Sequence, residues 1–180
     1  MKMRVLALLA LLAVCSGTRM IPLLGEGQDG TTIVDLGGKD WRVASSNGSI
    51  SAAASVPGVI HLDLLKAKVI EDPYVRYRDV EYRWIALTDW TYSRRFRVSA
   101  DLLAHAEVVL VCEGLDTVAS VAINGKVIGY ADNMFRRYLF TVPTDLLRSG
   151  PDNTITVSFT SAETYAKARP PPPNHLGRGW

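Results

Sequence analysis

The 180-residue chain carries 20 Lys and Arg against 18 Asp and Glu, is 48% hydrophobic and has two cysteines. That near balance of charge argues against a nucleic-acid or polyanion surface, and two cysteines exclude a disulfide-dense scaffold. A chain of this length suffices for one well-buried core.

Residues 1–17 read as a secretory signal peptide. Lys2 and Arg4 form a positive start, and Val5 to Val14 are an apolar run too short to span a membrane as a helix. Small residues at Cys15-Ser16-Gly17 offer a cleavage site. Removing the segment takes away Lys2, Arg4 and Cys15, leaving 18 basic against 18 acidic residues and Cys112 alone. One cysteine makes no internal disulfide, and Cys112, inside the strand-like run Glu107–Cys112, reads as a buried structural thiol. No later stretch is apolar enough to span a bilayer, so the expected product is soluble in the secretory pathway.

From there most of the chain reads as β. Gly37-Gly38-Lys39-Asp40 is a turn leading into a short strand anchored by Trp41 and Val43. Asn47-Gly48-Ser49 is a sequon on an expected surface loop, whereas Asn153-Thr154-Ile155 fails the pattern. Val56-Pro57-Gly58 punctuates the chain before Val59–Val69, where Ile60, Leu64 and Leu65 share a helical face and predict one short helix. Strand signals follow at Tyr92–Val98, Glu107–Cys112, Val118–Ile123, Lys126–Tyr130, Tyr138–Val142 and Thr154–Phe159. Asn124-Gly125 between two apolar runs is the strongest short-range signal for a two-residue hairpin, since both residues tolerate positive φ. Thr144–Leu147 predicts a single helical turn closed by Ser149-Gly150-Pro151. Short strands broken by turns predict an all-β, jelly-roll-like antiparallel sandwich with one short helix. Its domain is expected over residues 18–166, followed at 167–180 by a tail with four consecutive prolines, which favour polyproline II.

Chemistry-bearing patterns are few. Between Tyr74 and Tyr92 stand six of the fifteen aromatic residues, namely Tyr74, Tyr77, Tyr82, Trp84, Trp90 and Tyr92. Aromatic faces stack on the C–H faces of sugars, so this segment could contact carbohydrate or cap the sandwich. The close carboxylate pairs Glu71 and Asp72, Asp79 and Glu81, and Glu113 and Asp116 read as solvated charge. His61, His105 and His175 are too scattered for a metal site; no cofactor or metal is expected.

The ordered blocks VPG (Val56–Gly58), His61-Leu62-Asp63-Leu64, Ile70-Glu71-Asp72-Pro73-Tyr74, Tyr82-Arg83-Trp84, Asp89-Trp90-Thr91-Tyr92, Gly114-Leu115-Asp116-Thr117, Ile123-Asn124-Gly125 and Asn133-Met134-Phe135-Arg136-Arg137-Tyr138 carry a resemblance. Over Val34–Tyr165 the chain resembles the N-terminal, galactose-binding-like sugar-binding domain of glycoside hydrolase family 2, and within it the lysosomal β-mannosidases. The resemblance implies part of a retaining exo-β-mannosidase whose two catalytic glutamates lie about 5–5.5 Å apart in a (β/α)₈ barrel downstream of Trp180. The chain is thus expected to stop before the catalytic barrel, to carry no catalytic residue and to be inactive alone. Trp84 and Asn133 are its candidate substrate-pocket contacts, and Asn47 its candidate glycosylation site. Expected partners are a β-mannoside oligosaccharide and downstream domains of the same polypeptide, with neither nucleic acid nor membrane. A stand-alone carbohydrate-binding module and an inactive truncated isoform are the alternatives. Without neighbouring domains, Leu62, Trp84, Ile85 and Phe135 are expected on an uncovered apolar patch.

Overall fold

The computed structural model describes residues 19–21, 33–105 and 107–169; the expected signal peptide and the proline run lie outside them. In chain order the strands and helices are β1 (Arg19–Ile21), β2 (Val34–Asp35), β3 (Gly38–Ser45), β4 (Ser51–Val56), α1 (Ile60–Lys66), α2 (Arg78–Glu81), α3 (Trp84–Leu87), β5 (Trp90–Val98), α4 (Ala100–Leu103), β6 (Val109–Cys112), β7 (Val118–Ile123), β8 (Lys126–Ala131), β9 (Tyr138–Thr141), a 3₁₀ turn (Thr144–Leu146), β10 (Gly150–Thr160) and α5 (Ala162–Ala168). The strands form two antiparallel sheets, β2-β1-β6-β9 and β4-β3-β5-β10-β7-β8. This is the sandwich that the alternating pattern predicts.

Strand alternation sets the core. In the larger sheet one inward row runs Val43, Tyr92, Val157, Val121 and Gly129 across five strands. Gly129 faces Phe140 of the other sheet, and a Cβ there would lie 2.1 Å from the Phe140 ring. Side-chain volume is missing because the opposing ring occupies it. Gly129→Ala is expected to destabilise by about 1–3 kcal/mol through overpacking. Pairing it with Phe140→Leu should recover part of that loss in urea unfolding, whereas simple additivity would place the fault elsewhere.

Among the described residues the larger sheet has two more strands than the smaller one. On its β4 side α1 packs instead, burying Ile60 and Leu64 beside Ile70 and Ile85. The Asn-Gly hairpin forms as expected, with φ of 50° at Asn124 and 84° at Gly125, the two positive values that such a turn requires. Two local expectations fail: among the described residues four further short helices, α2 to α5, join the single one expected, and the 3₁₀ turn closes differently. Gly150 does not close a helical turn: it starts β10, whose pairing with β5 shifts register between Gly150 and Asn153. A glycine at φ 106° suits a bulge as well as a turn.

Candidate functional site

Register places the candidate residues at one end of the sandwich. Ser45 pairs with Trp90, Trp90 with Phe159, Phe159 with Ala119 and Ala119 with Ala131. The connections beyond that row are the Asn47 turn, α3, α5, the loop after Cys112 and the loop from Asp132 to Arg137. Trp84, Asn133 and Asn47 therefore share an end, but on different elements. Three strand spacings separate β5 from β8, about 14 Å at roughly 4.8 Å each.

Trp84 is half-buried, its ring tilted 45° against Trp90 with centroids 6.2 Å apart. The α3 turn holds it: Thr88 Oγ1 donates to the Trp84 carbonyl at 2.8 Å, and Trp90 Nε1–H to the Ile85 carbonyl at 2.9 Å. Ile85 is fully buried, so it leaves the expected apolar patch and joins the core. Its position on α3 turns it inward, which spacing alone could not show. Leu62 and Phe135 are exposed as expected, Phe135 at 85%. The aromatic segment divides as well. Trp90 and Tyr92 are core, while Tyr74 and Tyr77 are 95% and 81% exposed.

Below α3, Ser161 ties three elements together. Its hydroxyl donates to the Ala86 carbonyl at 2.7 Å and accepts from Thr164 N–H at 3.2 Å, capping α5. Its own N–H donates to Asp89 Oδ1 at 2.6 Å. At the surface Glu163 accepts from Lys167 and Arg83, which hold its carboxyl below the usual range.

Asn133 is exposed on the connection from β8 to β9. Its Oδ1 accepts from Phe135 N–H at 2.9 Å, an Asx turn that presents Phe135 outward. Arg137 Nε donates to Glu113 Oε2 at 2.6 Å, joining this loop to the one after β6. Asn47 is exposed, and its Oδ1 accepts from Ser49 N–H at 3.0 Å and from Ser49 Oγ at 2.7 Å.

Sequence reasoning missed one buried carboxylate. Asp63 on α1 is 1% exposed; its Oδ1 accepts from Ser55 N–H at 3.2 Å and its Oδ2 from the Tyr92 hydroxyl at 3.5 Å. Burial pushes its pKa up, opposed by those hydrogen bonds and by Lys66, and pushes the Tyr92 phenol well above its ordinary 10.0. Beside it, burial lowers the half-buried His61. A raised carboxyl binds its proton more tightly folded than unfolded, so its stabilising contribution is present at low pH and lost as pH rises through the folded pKa. Melting temperatures of the wild type should thus fall relative to Asp63→Asn as pH climbs from the ordinary Asp range through that raised value. Parallel curves would show that Asp63 titrates normally.

Among the described residues no three His, Cys, Asp or Glu side chains gather as a metal site, and no helix is long and apolar enough to cross a membrane.

Residues 41–176 match the family described as "Glycosyl hydrolase 2 galactose-binding domain-like". The chain belongs to that family. Its relatives include the β-mannosidase of Bos taurus, 44% identical over 130 residues that make up 72% of this chain and 14% of the relative. A probable β-mannosidase of Caenorhabditis elegans is 38% identical over 138 residues, 77% of this chain and 15% of the relative. The crystal structure of the β-D-mannosidase from Dictyoglomus thermophilum superposes with a TM-score of 0.71 at 35% identity, over 78% of this chain and 17% of that one. The galactose-binding-like chain is thus an N-terminal domain of β-mannosidase-like proteins, spanning about one seventh of the length of the curated mammalian relatives it matches.

Proposed function

We propose that this domain, taken as residues 18–166, serves an exo-β-mannosidase that removes terminal β-linked mannose from glycoprotein-derived oligosaccharides. It braces the catalytic part of that enzyme and forms one wall of the sugar pocket. The observation that carries the reading is the 44% identity to a β-mannosidase across most of the chain. Trp84 and Asn133 are the proposed sugar contacts, supported by their placement at one end of the sandwich. The domain itself contributes no catalytic carboxylate. In support, Glu71 pairs with Arg78, Glu113 with Arg137, Glu163 with Arg83 and Lys167, and Asp63 is buried in the fold.

The enzyme enters the secretory pathway through residues 1–17 and works in the lysosome. Asn47 carries an N-glycan, supported by an exposed sequon whose Ser49 hydroxyl already reaches the asparagine side chain. A free carbohydrate-binding module gains less support, because two rings of the aromatic segment are core.

An antibody to Gly114–Val142 tests the reading. It is expected to precipitate β-mannosidase activity in a species several times heavier than 19.7 kDa. A species of 19.7 kDa without activity would overturn it.

A further inference from the structure

We infer that Tyr138 is a positioning residue: its phenol sets the conformation of the loop that presents Asn133. The inference rests on the sugar-contact role proposed for Asn133, but its geometric half stands independently. The Tyr138 oxygen accepts from Asp132 N–H at 3.1 Å and from Asn133 N–H at 2.9 Å. Its hydroxyl proton is directed to the Asn133 carbonyl at 3.1 Å, with the Asp132 carboxylate 3.5 Å away. A phenol has one proton to donate and lone pairs to accept with. All of that capacity is spent on two consecutive residues, and Asn133 is held by both its N–H and its C=O.

The latch is itself anchored. Tyr138 opens β9 and pairs in register with the buried Cys112. Its ring stacks on Phe140 with centroids 5.9 Å apart and planes 11° from parallel, and the Arg136 guanidinium lies 5.8 Å from its centroid. On the far side of the loop, a Cβ at Gly114 would stand 3.3 Å from the Met134 carbonyl, and Arg137 pairs with Glu113. Asn133 is therefore clasped between a strand-borne ring and the neighbouring loop. Its Oδ1 is committed to Phe135 N–H. The Nδ2 protons, which donate to nothing among the described residues, remain for a hydroxyl acceptor on a pyranose. Preorganisation of this kind spares a binding group the cost of ordering its loop on contact.

Loop amides that lose the phenol can turn to water, so Tyr138→Phe should relax the loop without unfolding the domain. On the full chain, amide hydrogen exchange at Asp132 and Asn133 is expected to accelerate at least tenfold in Tyr138→Phe, while the melting temperature shifts by no more than about 2 °C. In the full-length enzyme that carries this domain, binding of methyl β-D-mannopyranoside should weaken at least fivefold in Tyr138→Phe. Unchanged exchange overturns the latch. Faster exchange with an unchanged sugar response reduces Tyr138 to a structural role and overturns positioning. A full-length enzyme whose mannoside binding is unmoved by Asn133→Ala sinks the sugar-contact reading instead, and the exchange result then decides the latch alone.

Discussion

Trp90→Ala is expected to lower the unfolding free energy by about 3–5 kcal/mol, the range for emptying a large aromatic site in a core. Trp90 is fully buried where β5 begins, and its inward face meets the end of the row that contains Ser45, Phe159 and Ala119. Two further losses accompany the cavity. The Ile85 carbonyl loses the indole N–H that closes α3, and Trp84 loses the ring on which it leans. Trp90→Phe separates these effects, since it keeps most of the packing and removes the donor. It should cost about 1–3 kcal/mol, the penalty for an orphaned buried polar group plus a smaller void. Urea unfolding of both variants checks the prediction. Equal losses would mean that the hydrogen bond, not the ring, dominates. If Trp84 is a sugar contact, Trp90→Phe should also weaken mannoside binding more than its modest stability loss explains.

The parts of this fold that were legible in sequence are those whose signal is local. Asn124-Gly125 names its own turn, and Val118–Ile123 alternates without interruption, so hairpin and strand coincide with the structure. The strand Ser51–Val56 gave no signal, because serine and alanine carry little β propensity; it forms because β3 supplies its ladder and Ala52 and Ala54 fit a crowded inner face. α2, α3 and α4 each span four residues, too few to show a 3.6-residue period. The candidate site was legible only through its motif. That Tyr138 closes on Asn133, or that Asp63 reaches Tyr92 from another element, depends on partners 5 and 29 positions apart that pattern alone does not pair. Asn153 was noticed only as a failed sequon. Its position inside the core follows from the bulge that precedes it.

That asparagine is the second residue whose loss should be costly. Asn153 is fully buried at the start of the paired part of β10, an expensive place for a carboxamide unless every polar atom has a partner. Its Oδ1 accepts from Arg148 N–H at 2.8 Å and Asn124 Nδ2 at 3.0 Å; its Nδ2 donates to the Arg148 carbonyl at 2.6 Å. Asn124 extends the network, donating to the Leu146 carbonyl at 2.6 Å and accepting from Thr154 N–H at 2.8 Å. The hairpin tip is thereby fastened to β10 and to the turn before it. Asn153→Ala removes the hub and strands several groups at once, so the expected loss is about 2–4 kcal/mol in chemical unfolding. A double cycle with Asn124→Ala should show coupling of about 0.5–3 kcal/mol, because the two side chains share a bond. Asn153→Asp discriminates further. The carboxylate retains both Oδ1 contacts but sets a second oxygen against the Arg148 carbonyl, which raises its pKa and favours the protonated form. Its stability deficit should therefore shrink as pH falls through that raised value, while the deficit of Asn153→Ala stays level. Two parallel pH profiles would show that volume, and not the donor to Arg148, is what this position requires.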